Sequence, residues 1–229
     1  MPVIVLQARL DSSRLPGKAM LPLGGRPLLF RVMEALNRVP AELRVLACTD
    51  DSLSAFAPLA AEAGFELLAG PKDDVLARYC LAIEKFNIQR LIRATGDNPF
   101  VFADAASAIN DEASALGADY AGYSGLPHGA GVESVAAPAL LRAAAEASSS
   151  HDREHVCPYL YSHPETFLIH RPLVPQCWQG QALRLTVDTH DDYERAQALY
   201  AALNSCDGGE RYCGAAIIGA YRALFGGSA

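Results

Sequence analysis

The chain has 229 residues, 51% hydrophobic and 20% charged, with a formal net charge of −7. That length suits one well-cored α/β domain, and the acidic balance argues against a general nucleic-acid binder, whose phosphate-neutralising surface is basic. The longest apolar runs are too short to span a bilayer, and Met1-Pro2 leads straight into the first strand without a leader, so a soluble, cytoplasmic protein with no membrane partner is expected. Cysteines 48, 80, 157, 177, 206 and 213 form no C-x-x-C and read as free thiols of a cytosolic protein. Cys206 and Cys213 flank a Gly-rich turn and could approach each other.

Val3-Ile4-Val5-Leu6 is a short, β-branched run, the pattern of a fully buried first strand. Pro27 suits a first helical position, and Leu28, Leu29, Val32, Met33, Leu36 and Val39 follow at helical spacing. Arg44 to Thr49 reads as a second buried strand, ended by Asp50, Asp51 and Ser52, which cap a helix to about Ala63. Gly64 stops that helix. Phe65 to Ala69 is a third strand, and Asp73 or Asp74 caps a helix over Val75 to Phe86. Gln89 to Thr95 is a fourth strand ending in Gly96-Asp97-Asn98-Pro99, with a helix from about Ala103 to Leu116 beyond it.

The second half changes character. Asp119 to Tyr123 and Val132 to Ala136, on either side of a Gly/Pro-rich loop, suggest antiparallel strands. Pro138 starts an Ala-rich helix that breaks at Ser148-Ser149-Ser150. Residues 167 to 174 and 182 to 187 read as two more strands, His190 to Leu203 as a helix, and 213 to 224 as a last amphipathic helix. This alternation predicts an α/β fold, a three-layer α/β/α sandwich around a mostly parallel twisted sheet with late antiparallel strands. No linker separates large domains, so 1–229 reads as a single domain in which about 119–180 forms an insertion.

The loop after the first strand, Gln7 to Lys18, carries Arg9, Arg14 and Lys18 with the hydroxyls of Ser12 and Ser13. Gly17 marks a place where the backbone comes close to something. Loops leaving the carboxyl ends of buried strands are where open α/β sheets bind ligands. Arginine forks with a lysine point charge suit a polyphosphate. Neither G-x-x-x-x-G-K-[ST] nor G-x-G-x-x-G is present, so side chains rather than a helix N-terminus would hold the phosphates. Asp97 and Asp188 each sit in a turn after an apolar strand, where a carboxylate can cap a helix or bond its own backbone.

The loop Q-A-R-x-x-S-x-R-L-P-G-K, with Leu21-Pro22-Leu23-Gly24-Gly25-Arg26-Pro27 behind it, resembles the opening of the cytidylyltransferases that make CMP-activated sugar acids. It is most like the spore coat polysaccharide biosynthesis protein F branch. Thr95-Gly96-Asp97-Asn98-Pro99 resembles that family's T-G-D-x-P, and Arg184-Leu185-Thr186-Val187-Asp188-Thr189 its R-L-T-V-D-T-P-E-D-L, departing at His190 and Asp191. The resemblance implies a nucleotide-diphospho-sugar transferase fold of GT-A-like type. It implies transfer of CMP from CTP to a sugar or sugar acid with release of pyrophosphate, for cell-surface polysaccharide biosynthesis. Arg14, Lys18, Asp97 and Asp188 would be catalytic, the two aspartates holding Mg2+. Ala8, Arg9, Ser12, Ser13, Arg14, Lys18, Arg93 and Thr95 would bind the nucleotide.

Glu133 in Gly131-Val132-Glu133, and Arg153, Glu154 and His155 in Arg153-Glu154-His155-Val156-Cys157-Pro158-Tyr159, resemble blocks expected to close over the acceptor. Asp74-Val75-Leu76-Ala77-Arg78-Tyr79 resembles D-V-L-x-R-Y, in which Arg78 and Tyr79 would fix the nucleotide. A helix surface with Leu76 and Tyr79 packed inward accounts for the same residues. His151 and His155 share a helical spacing but lack the H-E-x-x-H pattern. The alternatives are another nucleoside triphosphate with a sugar phosphate, a GT-A-type glycosyltransferase, for which no D-x-D turn follows a central strand, or an inactive nucleotide-binding protein. Related enzymes are often homodimers, and the sequence alone does not fix the assembly.

Overall fold

A computed structural model describes residues 1–204 and 209–226. In chain order its elements are β1 (Val3–Gln7), β2 (Pro22–Leu23), β3 (Arg26–Pro27), α1 (Leu28–Leu36), β4 (Leu43–Thr49), α2 (Leu53–Ala63), β5 (Glu66–Gly70), α3 (Val75–Phe86) and β6 (Arg90–Thr95). They continue with α4 (Ala103–Leu116), β7 (Tyr120–Ala121), β8 (Glu133–Ala136), α5 (Ala137–Glu146), α6 (Ser150–His155), α7 (Pro158–Ser162), β9 (Ile169–His170), α8 (His190–Leu203) and α9 (Gly214–Phe225).

Seven strands form one sheet in the order β5-β4-β1-β6-β8-β7-β9, and β2 and β3 make a separate small hairpin. β1 lies between β4 and β6, both parallel to it, with Gln7 level with Ala47 and Thr95. Both faces of β1 are covered. Ile4 and Leu6 belong to a core shared with α1, α2, α4, α8 and α9. Val3 and Val5 belong to a second core with α3, α5 and α7. Continuous rather than alternating hydrophobicity is what a strand buried on both sides requires. The expected three-layer sandwich is therefore present. β8 runs antiparallel to both β6 and β7, which supplies the late antiparallel portion.

Local chemistry fixes the helix ends. Asp74 is the cap of α3, its carboxylate accepting from the Ala77 amide at 2.9 Å. Thr189 and Asp192 make a reciprocal capping box at the start of α8. Asp51 and Ser52 do not cap α2. Their side chains bond Thr49 within a short 3-10 turn, and Ser52 accepts the Leu10 amide at 3.0 Å, tying the opening loop to β4.

Two strand expectations need correction. Of 167–174 only Ile169–His170 forms a strand, parallel to β7, and Leu173 adds an isolated bridge to Ser124. Segment 182–187 forms no strand among the described residues, making a single bridge between Arg184 and His128. Its alternation is nonetheless real, since Leu183, Leu185 and Val187 are all buried. The segment is extended and inward-facing, but its neighbour is a loop rather than a strand. Pro27 precedes α1 instead of opening it, because it pairs with Pro22 in the hairpin. Cys48, Cys80, Cys157, Cys177 and Cys213 are free thiols. Cys206 lies outside the described residues, and with it the expected approach to Cys213. No helix among the described residues is long and apolar enough to cross a membrane.

The 125–131 loop carries segment 182–187. His128 donates its amide to Leu183 at 3.0 Å and accepts from Leu185 at 2.7 Å. Gly129 has φ +91°, and a Cβ there would lie 2.5 Å from the Thr186 amide nitrogen. Both the backbone angle and the space exclude a side chain. Gly129→Ala should cost about 2 kcal/mol or more and displace the backbone leading to Asp188. Thermal unfolding should register the loss, with activity falling further than the melting temperature alone would explain.

Candidate active site

The carboxyl ends of β1 and β6 open into a cavity of about 500 Å³. The opening loop forms one wall, and α3 and α6 form another. Parallel strands all end on this side because each crossover helix carries the chain back to their amino ends.

Lys18 is the centre of the site. It begins a short 3-10 turn, Lys18–Met20, entered through Gly17 at φ +67°. Nothing lies within 4 Å of a Cβ built on Gly17, so that glycine serves the turn's handedness rather than a close approach. The Lys18 ammonium donates to Asp97 Oδ2 at 3.2 Å, Asp188 Oδ1 at 2.9 Å and the Val187 carbonyl at 3.0 Å. Arg14 reaches Asp188 Oδ1 at 3.1 Å while remaining 64% exposed. The backbone holds the two acidic segments together as well, since the Val187 amide donates to the Asp97 carbonyl at 2.9 Å.

Asp97 is oriented by Thr95, whose hydroxyl donates to Oδ1 at 2.7 Å and accepts from Asn98 Nδ2 at 2.7 Å. Asp188 is oriented by Arg184, which donates to Oδ2 at 2.9 Å. Arg184 also binds Asp192, which is 4% exposed and accepts from Arg195 and from the Asp188 and Thr189 amides. Burial pushes the Asp188 carboxyl up, but the bond and charge of Lys18, with Arg14 and Arg184, outweigh it and leave the pKa below its ordinary value. Burial likewise raises Asp192, and its arginines and amide donors overcome this by a wide margin. Both are carboxylates at neutral pH.

The other expected residues divide into two groups. Ala8, Arg9, Ser12, Ser13, Arg93, Thr95, Glu154 and His155 all line the cavity. Arg9 and Ser13 are exposed on its rim. Arg93 is committed to Glu133 across the β6–β8 pairing, and Tyr120 donates to the other Glu133 oxygen at 2.8 Å. Glu133 and Arg153 do not line the cavity. Arg153 instead ties α6 to α3, reaching Asp74 at 2.6 Å and the Ala144 and Ala147 carbonyls. The His151 and His155 rings lie tilted to each other with centroids 4.5 Å apart, and among the described residues no cluster of three or more potential metal-ligating side chains occurs.

Several cavity and supporting residues escaped the sequence reading. Lys72 and Asp11 pair across the rim at 2.7 Å. Arg184 and Asp192 support Asp188, and Gln7 Oε1 is buried without a partner. Asp192 had a visible signal, standing where a capping-box acid belongs, three residues after Thr189. Trp178, without a role in sequence, donates to Asp104 at 3.1 Å, and the same carboxylate accepts the Gly214 amide at the start of α9.

Known proteins are similar to this chain along nearly its whole length. Residues 3–210 match the family model described as cytidylyltransferase. The chain belongs to the cytidylyltransferase family. Its relatives include the spore coat polysaccharide biosynthesis protein SpsF of Bacillus subtilis (strain 168), 33% identical over 208 residues, covering 86% of this chain and 85% of that protein. A 3-deoxy-manno-octulosonate cytidylyltransferase of Neisseria meningitidis is 48% identical over 48 residues, or 21% of this chain and 19% of that protein. Among solved structures, a cytidylyltransferase from Leptospira borgpetersenii superposes with a TM-score of 0.86 at 23% identity, covering 98% of this chain and 94% of that one. CMP:2-keto-3-deoxy-manno-octonic acid synthetase complexed with CTP superposes at 0.68 with 17% identity, covering 88% and 99%. These likenesses show the same fold, and family membership makes this cytidylyltransferase a nucleotidyltransferase.

Asp192 gives a stability prediction with a defined pH window. Its folded pKa lies below the ordinary value of 3.8, so its contribution is complete above that pH and fades as pH falls below it. Asp192→Asn should therefore lower the unfolding free energy by about 3 kcal/mol near neutrality. The gap between wild type and variant, followed by denaturant titration, should be constant above about pH 5 and narrow below the ordinary value.

Proposed function

We propose that this cytidylyltransferase transfers CMP from CTP to a hydroxyl of a sugar or sugar acid and releases pyrophosphate. The observation that carries the reading is the convergence of Lys18 on Asp97, just after β6, and on Asp188, just after the extended segment 182–187, with Arg14 and the rest of the opening loop beside them. Nucleotidyl transfer asks little covalent chemistry of a protein. It needs the acceptor oxygen held in line with the α-phosphorus, and fixed positive charge where the pyrophosphate departs.

Arg9, Arg14 and Lys18 supply that charge. Each can exchange its present partners or solvent for phosphate oxygens. Arg14 and Arg9 are exposed on a loop, and Lys18 reaches the cavity from the floor. Thr95 and Arg184 hold the aspartates in place while the cations rearrange. Glu154 and His155, on the α6 side of the cavity, are positioned to meet acceptor hydroxyls.

The donor set fits magnesium. The Lys18 ammonium already lies among two carboxylate oxygens and a carbonyl, the hard oxygen environment that Mg2+ selects. Asp97 and Asp188 would hold the ion, which when bound polarises phosphoryl oxygens. Lys18 and the ion would compete for the same oxygens, so the lysine has to turn toward the phosphates as the nucleotide settles.

Calorimetry with CTP, UTP, GTP and ATP tests the nucleotide without knowledge of the acceptor. CTP should bind in preference, and Lys18→Ala should weaken it. Failure of every nucleotide to bind would sink the proposal. Once an acceptor is found, Lys18→Ala should depress turnover by about 10²–10³-fold. In nucleotide-free protein, Lys18→Met should bind Mn2+ more tightly than wild type, as read by electron paramagnetic resonance. Equal affinities would mean that Lys18 does not occupy the ion's place.

A further inference from the structure

The Asp97 carboxylate is held between two donors. Thr95 bonds Oδ1 at 2.7 Å and the Lys18 ammonium bonds Oδ2 at 3.2 Å. The two donors differ in freedom, because Thr95 is the last residue of β6 whereas Lys18 rides on the opening loop. A third side chain keeps the Thr95 hydroxyl on Asp97. Asn98 donates Nδ2 to Thr95 Oγ1 at 2.7 Å, and its backbone amide bonds the Thr95 carbonyl at 3.3 Å, closing a turn around the aspartate. In T-G-D-x-P, Asn98 stands at the position that the pattern leaves open.

A threonine hydroxyl has one proton and two lone pairs, and a carboxylate only accepts. The 2.7 Å contact from Oγ1 to Oδ1 therefore spends the hydroxyl proton on Asp97. Oγ1 can then meet Asn98 only as an acceptor, so the amide has to turn its NH2 inward. Turned the other way, its oxygen would compete for the same proton, and one of the two contacts would set oxygen against bare oxygen. The observed orientation carries a cost, since Asn98 Oδ1 is buried without a partner. An unpaired buried acceptor is unfavourable, and it persists here because the hydroxyl and carboxylate beyond it demand it. The oxygen sits beside Gly129, where a Cβ would come within 2.9 Å of it and within 2.5 Å of the Thr186 amide nitrogen. Asn98 thus lies where the turn after β6 meets the loop that supports segment 182–187.

We propose that Asn98 is a positioning residue for Asp97, acting through the Thr95 hydroxyl. By occupying one lone pair of Oγ1 it directs the single hydroxyl proton to Oδ1, and it leaves Oδ2 as the oxygen that Lys18 gives up to a divalent cation. This role presupposes the magnesium-assisted nucleotidyl transfer proposed above. Partners that orient a ligating carboxylate from behind typically account for about 10–100-fold in metal affinity. Without Asn98 the hydroxyl rotates freely, and the carboxylate loses the restraint that presents one oxygen rather than the other.

The test separates the metal from the nucleotide. CTP is titrated calorimetrically into the full chain without acceptor, once with Mn2+ and once with EDTA. Wild type should bind CTP more tightly with Mn2+. Asn98→Ala should weaken CTP about tenfold in Mn2+ and by no more than about twofold in EDTA. Thr95→Val, which removes the hydroxyl, should also weaken CTP in Mn2+. A double-mutant cycle then distinguishes a relay from two separate supports. On the Thr95→Val background Asn98→Ala should have no further effect. On Thr95→Ser, which keeps the hydroxyl, it should again cost about tenfold.

Equal losses in Mn2+ and EDTA would make Asn98 a support for the nucleotide or the fold and overturn the proposal. An undiminished effect of Asn98→Ala on the Thr95→Val background would overturn it too, because the asparagine would then act by another route. If a variant fails to fold, nuclear magnetic resonance on wild type decides. One of the two Asn98 Nδ2 protons should exchange slowly with solvent, and two freely exchanging protons would contradict the bond to Thr95. If Mn2+ tightens CTP binding as much in Asn98→Ala as in wild type, only this inference fails. If wild type binds CTP no better with Mn2+ than with EDTA, the magnesium part of the underlying reading fails and takes the inference with it.

Discussion

Two carboxylates far apart in the chain can share one site only if something neutralises them, and here that is the Lys18 ammonium between Asp97 and Asp188. Like charges so placed would otherwise push one carboxyl toward protonation. Much of the local architecture serves this contact. β1 delivers Lys18 through a left-handed glycine, β6 delivers Asp97, and a loop-supported extended segment delivers Asp188. The Val187–Asp97 backbone bond keeps the two acidic segments in register even when the lysine moves. Asp192 and Arg184 fix Asp188 from behind, so the site's geometry does not depend on Lys18 alone.

The sequence made the regular elements legible wherever periodicity and caps agreed. α3, α4 and α8 have the expected bounds because Asp74 and Thr189 cap two of them and Gly117, in the left-handed conformation, ends the third. Segment 182–187 shows the limit. Alternation reports which side chains face inward, not whether a strand lies alongside. Leu183, Leu185 and Val187 obey the pattern while their backbone bonds to loops, His128 of the 125–131 loop and Asp97 after β6 among them, and not to a strand. In 167–174, Pro172 removes a ladder donor, which helps to keep β9 short.

The site was legible to the extent that its residues occur in contiguous blocks. Lys18, Asp97 and Asp188 stand in motifs that can be read in one dimension, and the structure brings them within hydrogen-bond distance. Arg78 also stands in a contiguous block, D-V-L-x-R-Y, but its burial is not legible there, because on α3 it has no apolar character to mark it as buried, whereas Leu76, Tyr79 and Ala82 do. Only the missing side chain of Gly70, on a different element, reveals that space was left for it. Arg153 and Glu133 occur in blocks as suggestive as any, yet their charges are spent on Asp74 and Arg93, contacts that no local pattern discloses.

The same accounting explains how a chain with net charge −7 can take an anionic ligand. Its cavity cations are largely not free. Lys18 and Arg14 rest on Asp188, Lys72 rests on Asp11 at the rim, and Arg93 rests on Glu133. Under the proposed function, a triphosphate entering this site would take the cations nearest the loop from their ion-pair partners, which costs less desolvation than burying fresh charge. The aspartates so released would be available to a cation. Arg93, buried with its carboxylate, has no such freedom and serves as fixed wall. Arg78 differs from all of these in having no partner to give up, so whatever ligand group reaches it gains its hydrogen bonds without breaking another.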